Sequence, residues 1–269
     1  MSDIDDSGEN LWGRTETSEF TYVVTVPRTN KDVSITAVLD RKVCSGTPAF
    51  PSHGHCVWDA ALLLADFLQT KANDAFHLAP RVECNDRFKF QDKNVVELGA
   101  GVGLVGMTLA VLGARVVLTD QKYALPLLTK NVVVNFLDTV SNRSLAIAIP
   151  TVEKCQWGEP FTSGGSLMSW TKSTDVVLFS DVLYHASAYV LLIKTLHELV
   201  SPTTDVFFSF ETRNATIEAN FLLELGKNFG VEEVSRKDNA QVFASFEHPD
   251  ELFVYHARLR ADAITSKLA

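Results

Sequence analysis

The spacing of apolar and polar positions changes along the chain, and this change predicts an α/β protein. Between residues 94 and 259, short apolar runs alternate with longer segments whose apolar residues recur every three or four positions. The short runs predict buried strands, and the longer segments predict amphipathic helices. Such an alternation is typical of a parallel sheet with helices on both faces.

Seven of these runs predict the strands of one sheet, which would give a Rossmann-like, mostly parallel fold. They lie at 94–98, 114–120, 144–150, 175–181, 205–210, 231–236 and 251–259. The last strand follows its neighbour after a short loop, so we expect it to run antiparallel. Upstream of the sheet, "VWDAALLLADFLQ" at 57–69 predicts a helix, and the polar stretch 72–92 predicts an irregular connection.

The N-terminal part of the chain predicts a β-hairpin extension, or two strands that flank the main domain. In "FTYVVTVPRTNKDVSITAVL", two β-rich runs flank the turn-forming "PRTNKD". We therefore expect a flexible tail at 1–18, a β extension and loop at 19–56, and the main domain at 57–269.

Charge and composition restrict the setting in which the protein works. The formal net charge is −9, which disfavours non-specific nucleic-acid binding and suits a basic partner. The four cysteines show no C-x-x-C spacing, so we expect neither a disulfide framework nor a zinc site. The start of the chain is acidic, and no apolar run approaches the ~18 residues of a membrane span. We expect a cytoplasmic monomer that binds neither nucleic acid nor membrane.

The stretch "ELGAGVGLVG", residues 97–106, is the strongest candidate for a binding loop. It contains G-x-G-x-x-G between a predicted strand and a predicted helix, and Asp120 ends the next strand. An acid there suits a ribose diol, which NAD and S-adenosylmethionine both carry. Glu97 and Gly99 favour S-adenosylmethionine, because an acid would repel a pyrophosphate but attract an ammonium or sulfonium group. A plain strand-to-helix turn is the structural alternative.

Three further positions carry candidate chemistry. Trp58 begins the helix upstream of the sheet, and Trp157 follows the third predicted strand, where an indole could stack on a base. In "LFSDVLYH" the fourth strand ends with Ser180 and Asp181, at the edge of the sheet where ligands bind. The alternatives are an ordinary core tryptophan for Trp58 and a helix cap or ion-pair partner for Asp181.

Together these motifs resemble the seven-β-strand S-adenosylmethionine-dependent methyltransferases. More closely, they are similar to the methyltransferase-like protein-lysine methyltransferase family, also described as nicotinamide N-methyltransferase-like. The resemblance runs from about residue 53 to 213. It includes G-x-x-x-W-D-A-A from Gly54, "VVELGAGVGLVG", "VVLTD", "NVVVN", "WG", "SDVLY" and "SFETR".

The resemblance implies S-adenosyl-L-methionine as the cofactor and assigns roles to particular residues. Asp181 and Tyr184, of a D-x-x-Y motif, would lie near the target amine as catalytic residues, and Glu211 would face the substrate. Trp58 would close over the cofactor, Asp120 would hold the ribose, and Trp157 would flank the adenine. The cofactor-binding set is Trp58, Glu97, Gly99, Ala100, Gly101, Asp120, Gln121, Trp157 and Ser180.

The implied activity is methyl transfer to a lysine side chain exposed on a protein substrate, for example an elongation factor or a chaperone. A small-molecule N-methyltransferase acting on a pyridine or an amine is the first alternative. A binding module without activity and an NAD-dependent dehydrogenase are the others. No metal is expected, because the "HGHC" cluster lacks the spacing of a fourth ligand.

Overall fold

The structure is a computed structural model that describes residues 17–40, 54–78, 86–137, 147–161, 163–183 and 186–261. The strands are β1 Glu19–Val26, β2 Lys31–Val38, β3 Asn94–Leu98, β4 Arg115–Asp120, β5 Thr151–Lys154, β6 Val176–Ser180, β7 Asp205–Glu211, β8 Phe229–Glu233 and β9 Leu252–Leu259. The α-helices are α1 Asp59–Leu78, α2 Leu104–Val111, α3 Leu125–Val132, α4 Ser166–Trp170, α5 Ala186–Leu199, α6 Ala215–Leu225 and α7 Ala240–Phe243.

The predicted fold class is confirmed. Seven strands form one sheet in the order β5-β4-β3-β6-β7-β9-β8, and β1 pairs with β2 as a separate antiparallel hairpin. Strands β3 to β7 are parallel, whereas β9 runs antiparallel to both β7 and β8, as expected for the last strand. The order reverses between β3 and β6, which places the switch point of the sheet after these two strands.

Two predicted elements are placed wrongly. The third strand of the sheet lies at Thr151–Lys154 instead of 144–150, and of the predicted span only 147–150 is described, without strand structure. This strand is at the edge and pairs only with β4, so its side chains are half exposed and give no apolar run. The helix predicted at 57–69 continues to Leu78, because Ala72 and Ala75 still face the core.

Each face of the sheet is covered by its own set of helices. Alternate residues such as Val95 and Leu178 point to one face, where α1, α2 and the hairpin pack. Their neighbours Val96 and Val177 point to the other face, where α5 and α6 pack. This alternation of buried side chains explains why the strands read as continuous apolar runs. Among the described residues, every helix is too short or too polar to cross a lipid bilayer.

Two buried asparagines fix the hairpin to the main sheet. Asn131 lies in α3, and Asn135 lies in the π-helical segment Val133–Leu137 that follows it. The Asn131 amide oxygen accepts a 2.8 Å hydrogen bond from the Val38 N–H. Asn135 accepts from the Thr36 N–H at 2.7 Å and donates to the Thr36 carbonyl at 2.8 Å. These side chains therefore replace a neighbouring strand along the edge of β2. The domain boundary predicted at residue 56 stays a prediction.

We expect Asn135→Ala to destabilise the protein by about 2–4 kcal/mol, because both Thr36 backbone groups lose their partner in a part-buried place. Urea unfolding at neutral pH measures this loss. Asn220→Ala, at an exposed position of α6, is the matched control and should change stability by less than about 0.5 kcal/mol. Equal stability of the two variants would contradict the role given to Asn135.

Candidate functional site

A pocket opens at the carboxyl ends of β3 and β6, at the switch point of the sheet. All nine residues of the predicted cofactor-binding set line it, together with Asp181. Tyr184 lies outside the described residues. The structure therefore brings the other predicted site residues together, and their roles stay predictions. The other residues that line the pocket are Gly54, Cys56, Ala61, Val102, Leu104, Val105, Tyr123, Cys155, Gln156, Val182, Ala188 and Leu191.

The glycine loop approaches its neighbours too closely for any side chain. Gly99 has a φ of +66°, and a Cβ there would lie 3.0 Å from Val182 and 3.3 Å from Trp157. At Gly106, in the first turn of α2, a Cβ would lie 2.3 Å from Leu118 and 2.6 Å from the Glu97 carboxylate. The glycines thus allow Trp157 to pack on the loop and α2 to pack on the sheet.

Glu97 is a buried carboxyl at the floor of the pocket. It is 1% exposed, and its Oε2 accepts a 2.8 Å hydrogen bond from the Gly106 N–H. Burial raises the pKa of Glu97 to about 8, although the Gly106 hydrogen bond opposes this effect. A cation in the pocket would favour the ionised form. Sequence reasoning identified the acid but missed its bond to the helix.

Asp120 holds the glycine loop as well as facing the pocket. Its Oδ2 accepts a 2.8 Å hydrogen bond from the Gly101 N–H, and its Oδ1 accepts one of 2.6 Å from the Gln121 N–H. Burial raises the pKa of Asp120, and the two backbone hydrogen bonds act against it. Each carboxylate oxygen keeps a lone pair that can accept from a hydroxyl.

The rim of the pocket carries a charged cluster around Arg213. The Arg213 guanidinium donates to Asp181 Oδ2 at 2.6 Å and to Glu211 Oε2 at 2.9 Å. It also lies over the Trp58 ring, 4.9 Å from the centroid. Burial raises the pKa of Asp181, and Arg213 opposes this. Glu211 was expected near the substrate. The sequence analysis did not identify Arg213 as a site residue, because the motif "ETR" does not show which way the arginine side chain points.

One expectation about the cysteines is wrong. Cys56, which lines the pocket, is disulfide-bonded, although its spacing from the other cysteines gave no sign of a bridge. Cys155, also in the pocket lining, is a free and buried thiol. Burial raises the pKa of the Cys155 thiol to about 12, so this thiol stays protonated and unreactive at neutral pH.

Comparison with known proteins identifies the family to which this chain is similar. A family model described as "Lysine methyltransferase" matches residues 48–228, a range that contains every predicted site residue. Protein N-lysine methyltransferase METTL21A of Danio rerio is 35% identical over 66% of this chain and 69% of its own length. EEF1A lysine methyltransferase 3 of Xenopus tropicalis is 32% identical over 69% of this chain and 70% of its own length. Protein-lysine N-methyltransferase EFM6 of Saccharomyces cerevisiae is 30% identical over 72% of this chain and 76% of its own length.

The raised pKa of Glu97 predicts a pH-dependent loss of stability in the ligand-free protein. Unfolding returns the pKa of Glu97 from about 8 to its ordinary value of 4.5, so its contribution to stability falls as pH rises between these values and is constant above them. Glu97→Gln removes this dependence. We expect the variant to gain stability relative to the unaltered protein between pH 5 and pH 8.5, as measured by urea unfolding. A difference that does not change with pH would contradict the assigned burial.

Proposed function

The chain belongs to the lysine methyltransferase family, and from this premise we propose how its residues transfer a methyl group from S-adenosylmethionine to a lysine side chain of a protein. The observation that carries the proposal is the position of Asp181. Asp181 directly follows β6, and it lies in the lining of the same pocket as Glu97 and Asp120. A carboxylate for the acceptor amine and two carboxyls for the cofactor thus meet in one pocket.

The residues present fit S-adenosylmethionine. Glu97 and Asp120 are buried carboxyls, and in the part of the chain that the structure describes His55, near Asp120, is the one basic group that lowers either pKa. A ligand with an ammonium group and a sulfonium centre supplies that positive charge, whereas a pyrophosphate would be repelled. We assign Glu97, with the backbone of Gly99 and Ala100, to the methionine end. This charge pattern and the family decide against the dehydrogenase alternative.

The opposite end of the pocket suits adenosine. Asp120 can accept hydrogen bonds from both ribose hydroxyls while the Gly101 and Gln121 N–H groups hold its carboxylate in place. Trp157 packs against Gly99 with its ring edge and offers an indole surface for the adenine. Trp58 lines the pocket immediately before α1, and we assign it to cover the bound cofactor.

The rim favours a cationic acceptor such as lysine. Three carboxylates, Asp59, Asp181 and Glu211, interact electrostatically there, and Arg213 is the cation that lowers the pKa of Asp181 and Glu211. Among the described groups, Arg213 bonds two carboxylates, Asp181 and Glu211, so this cluster carries net negative charge when both are ionised. An incoming lysine ammonium would offset part of this negative charge, which an uncharged pyridine would not do.

Methyl transfer requires a neutral amine held in line with the methyl group. S-adenosylmethionine, when bound, would supply a methyl group on a cationic sulfur; as a neutral amine nitrogen forms the new N–C bond, the C–S bond would break and its electron pair would leave with the sulfur of S-adenosylhomocysteine. A lysine amine has a pKa of about 10.4, so its proton leaves to water before transfer. Asp181 then accepts a hydrogen bond from the amine and stabilises the positive charge that develops on nitrogen. Holding the reactants in this geometry lowers the activation free energy by up to ~7–11 kcal/mol in good cases. The role given to Tyr184 beside Asp181 stays a prediction.

We also propose where and with what the enzyme acts. The substrate is a folded protein with an exposed lysine, and a relative named for EEF1A makes an elongation factor the first candidate to test. We propose a monomer in the cytoplasm that binds neither nucleic acid nor membrane, since a net charge of −9 repels polyanions. Recovery of the protein from a secretory compartment, where the disulfide at Cys56 would persist, would contradict this location.

Asp181→Asn tests the reaction. Purified enzyme is incubated with methyl-labelled S-adenosylmethionine and total cell protein, and the label on protein is counted. We expect the variant to label protein at least 100-fold more slowly, because the amide cannot stabilise the developing ammonium charge. Affinity for S-adenosylmethionine should change less than threefold.

The distribution of the label separates the alternatives. Label recovered as methyl-lysine after acid hydrolysis of the protein supports the proposal. Label found only in the small-molecule fraction would show the alternative N-methyltransferase, and failure to bind S-adenosylmethionine would show a binding module. Unchanged labelling by Asp181→Asn would contradict the role of this residue.

Asp120→Asn tests the cofactor site. The amide keeps one acceptor oxygen, so either the Gly101 N–H or a ribose hydroxyl loses its partner. We expect the Kd for S-adenosylmethionine, measured by calorimetry, to rise at least tenfold. Asp74→Asn, at an exposed position of α1, is the matched control and should leave the Kd unchanged. A Kd within twofold for Asp120→Asn would refute the assignment.

A further inference from the structure

Arg213 connects two parts of the pocket that come from different elements. Trp58 precedes α1, whereas Asp181 follows β6, and Arg213 itself lies just beyond the end of β7. Its guanidinium lies 4.9 Å from the Trp58 ring centroid and 2.6 Å from Asp181 Oδ2. The tryptophan that would cover the cofactor and the carboxylate that would meet the amine are thus held by one side chain.

We propose that Arg213 is a positioning residue for methyl transfer, which holds the Asp181 carboxylate and the Trp58 indole in one arrangement and leaves Asp181 Oδ1 for the incoming amine. This inference rests on the proposed function. Asp181 Oδ2 accepts the short bond from Arg213, whereas among the described residues Oδ1 accepts a single long bond of 3.4 Å from the Glu211 N–H. Asp181 Oδ1 can therefore accept a hydrogen bond from a new donor more readily than Oδ2 can.

The main chain at Asp181 is fixed by a different element from the one that holds its side chain. Asp181 has a φ of +54°, a left-handed conformation that is uncommon for a residue with a side chain. Its N–H donates to the Ser209 carbonyl at 2.9 Å, which fixes the main chain against β7. The main chain is therefore held by β7, and the orientation of the carboxylate is held by Arg213.

The chemistry of this position requires arginine. A guanidinium can stack its flat face on an indole while its edge donates to carboxylates, and a lysine ammonium cannot do both. Arg213 also donates to Glu211 Oε2 at 2.9 Å, which keeps the second carboxylate beside the first. Without this cation, Asp181 and Glu211 would lose the guanidinium that bonds both of them.

The charged groups that face Asp181 come from two packed elements. Asp59 comes from the start of α1, and Glu211 and Arg213 come from the end of β7 and the residues after it. The Asp59 carboxylate opposes ionisation of Asp181, whereas Arg213 and the Glu211 N–H favour it, and Asp181 in turn raises the pKa of Glu211. Removal of the guanidinium should therefore raise the pKa of Asp181 further and reduce its charged form near neutral pH.

Direct titration of Asp181 tests the inference without the reaction. The protein is labelled with ¹³C at the aspartate carboxyl carbons, and the Asp181 signal is assigned from its absence in Asp181→Asn. We expect Arg213→Met to raise the titration midpoint of Asp181 by at least one pH unit, and Arg213→Lys to raise it by less than half as much. Arg115→Met removes an exposed arginine at the other end of the sheet and should leave the midpoint unchanged.

Labelling of total cell protein tests whether Arg213 acts through Asp181. Arg213→Met should lower the rate at least tenfold, with partial rescue by Arg213→Lys. The double variant with Asp181→Asn should be no slower than Asp181→Asn alone, because the two residues act as one unit. Thermal unfolding of every variant checks the fold, and Arg213→Gln replaces Arg213→Met if the latter does not fold.

Three results would overturn the inference. One is an unchanged Asp181 midpoint in Arg213→Met. Another is labelling by this variant at or above the rate of the unaltered protein, which would make Arg213 a competitor of the substrate amine. The third is a double variant whose loss equals the product of the single losses. Failure of the proposed function is seen separately, as absence of protein labelling by the unaltered enzyme.

Discussion

The pocket depends on hydrogen bonds from backbone N–H groups to two buried carboxyls. Gly106 donates to Glu97, and Gly101 donates to Asp120, so both acids hold the loop that connects β3 to α2. A side chain at Gly106 would collide with Glu97 and Leu118 and would push the helix away from the sheet. The same contacts therefore set the position of α2, the path of the loop and the placement of two acids in the pocket.

A second set of contacts positions the acceptor side against the cofactor side. Ser209 on β7 donates through its hydroxyl to the Ala60 carbonyl at 2.7 Å, and its own carbonyl accepts from the Asp181 N–H. One residue thus ties the start of α1 and the end of β6 to the same strand. Because Trp58 and Asp181 are fixed to this frame, Arg213 can contact both of them.

The electrostatics of the pocket follow from the burial of three carboxyl groups whose negative charge is not fully balanced by nearby hydrogen bonds and cations. The pKa values of Glu97, Asp120 and Asp181 are all raised because burial disfavours their charged forms. A structure that needed only stability would place apolar residues here. Acids held in this state gain most from a ligand that brings positive charge, as both the methyl donor and a lysine substrate do.

Particular residues show how far the sequence reaches. The apolar runs of β3, β4, β6 and β7 are visible because these central strands are buried on both faces, whereas β5 was misplaced because an edge strand has no such run. The glycine loop, Asp120 and the sequence around Asp181 were visible because their residue types and spacing are tied to a turn and to the ends of strands. The disulfide at Cys56 was not visible, since spacing along the chain does not give distance in space.

The sequence by itself thus determined the α/β class, the antiparallel last strand, the glycine loop and the candidate acids, because each is encoded by local periodicity or by residues close together in the chain. Only the tertiary structure decided that Asn131 and Asn135 hold the hairpin, that Asp120 holds the loop, and that Arg213 joins Trp58 to Asp181. These contacts join residues from separate elements, and their geometry exists only once the sheet has brought those elements together.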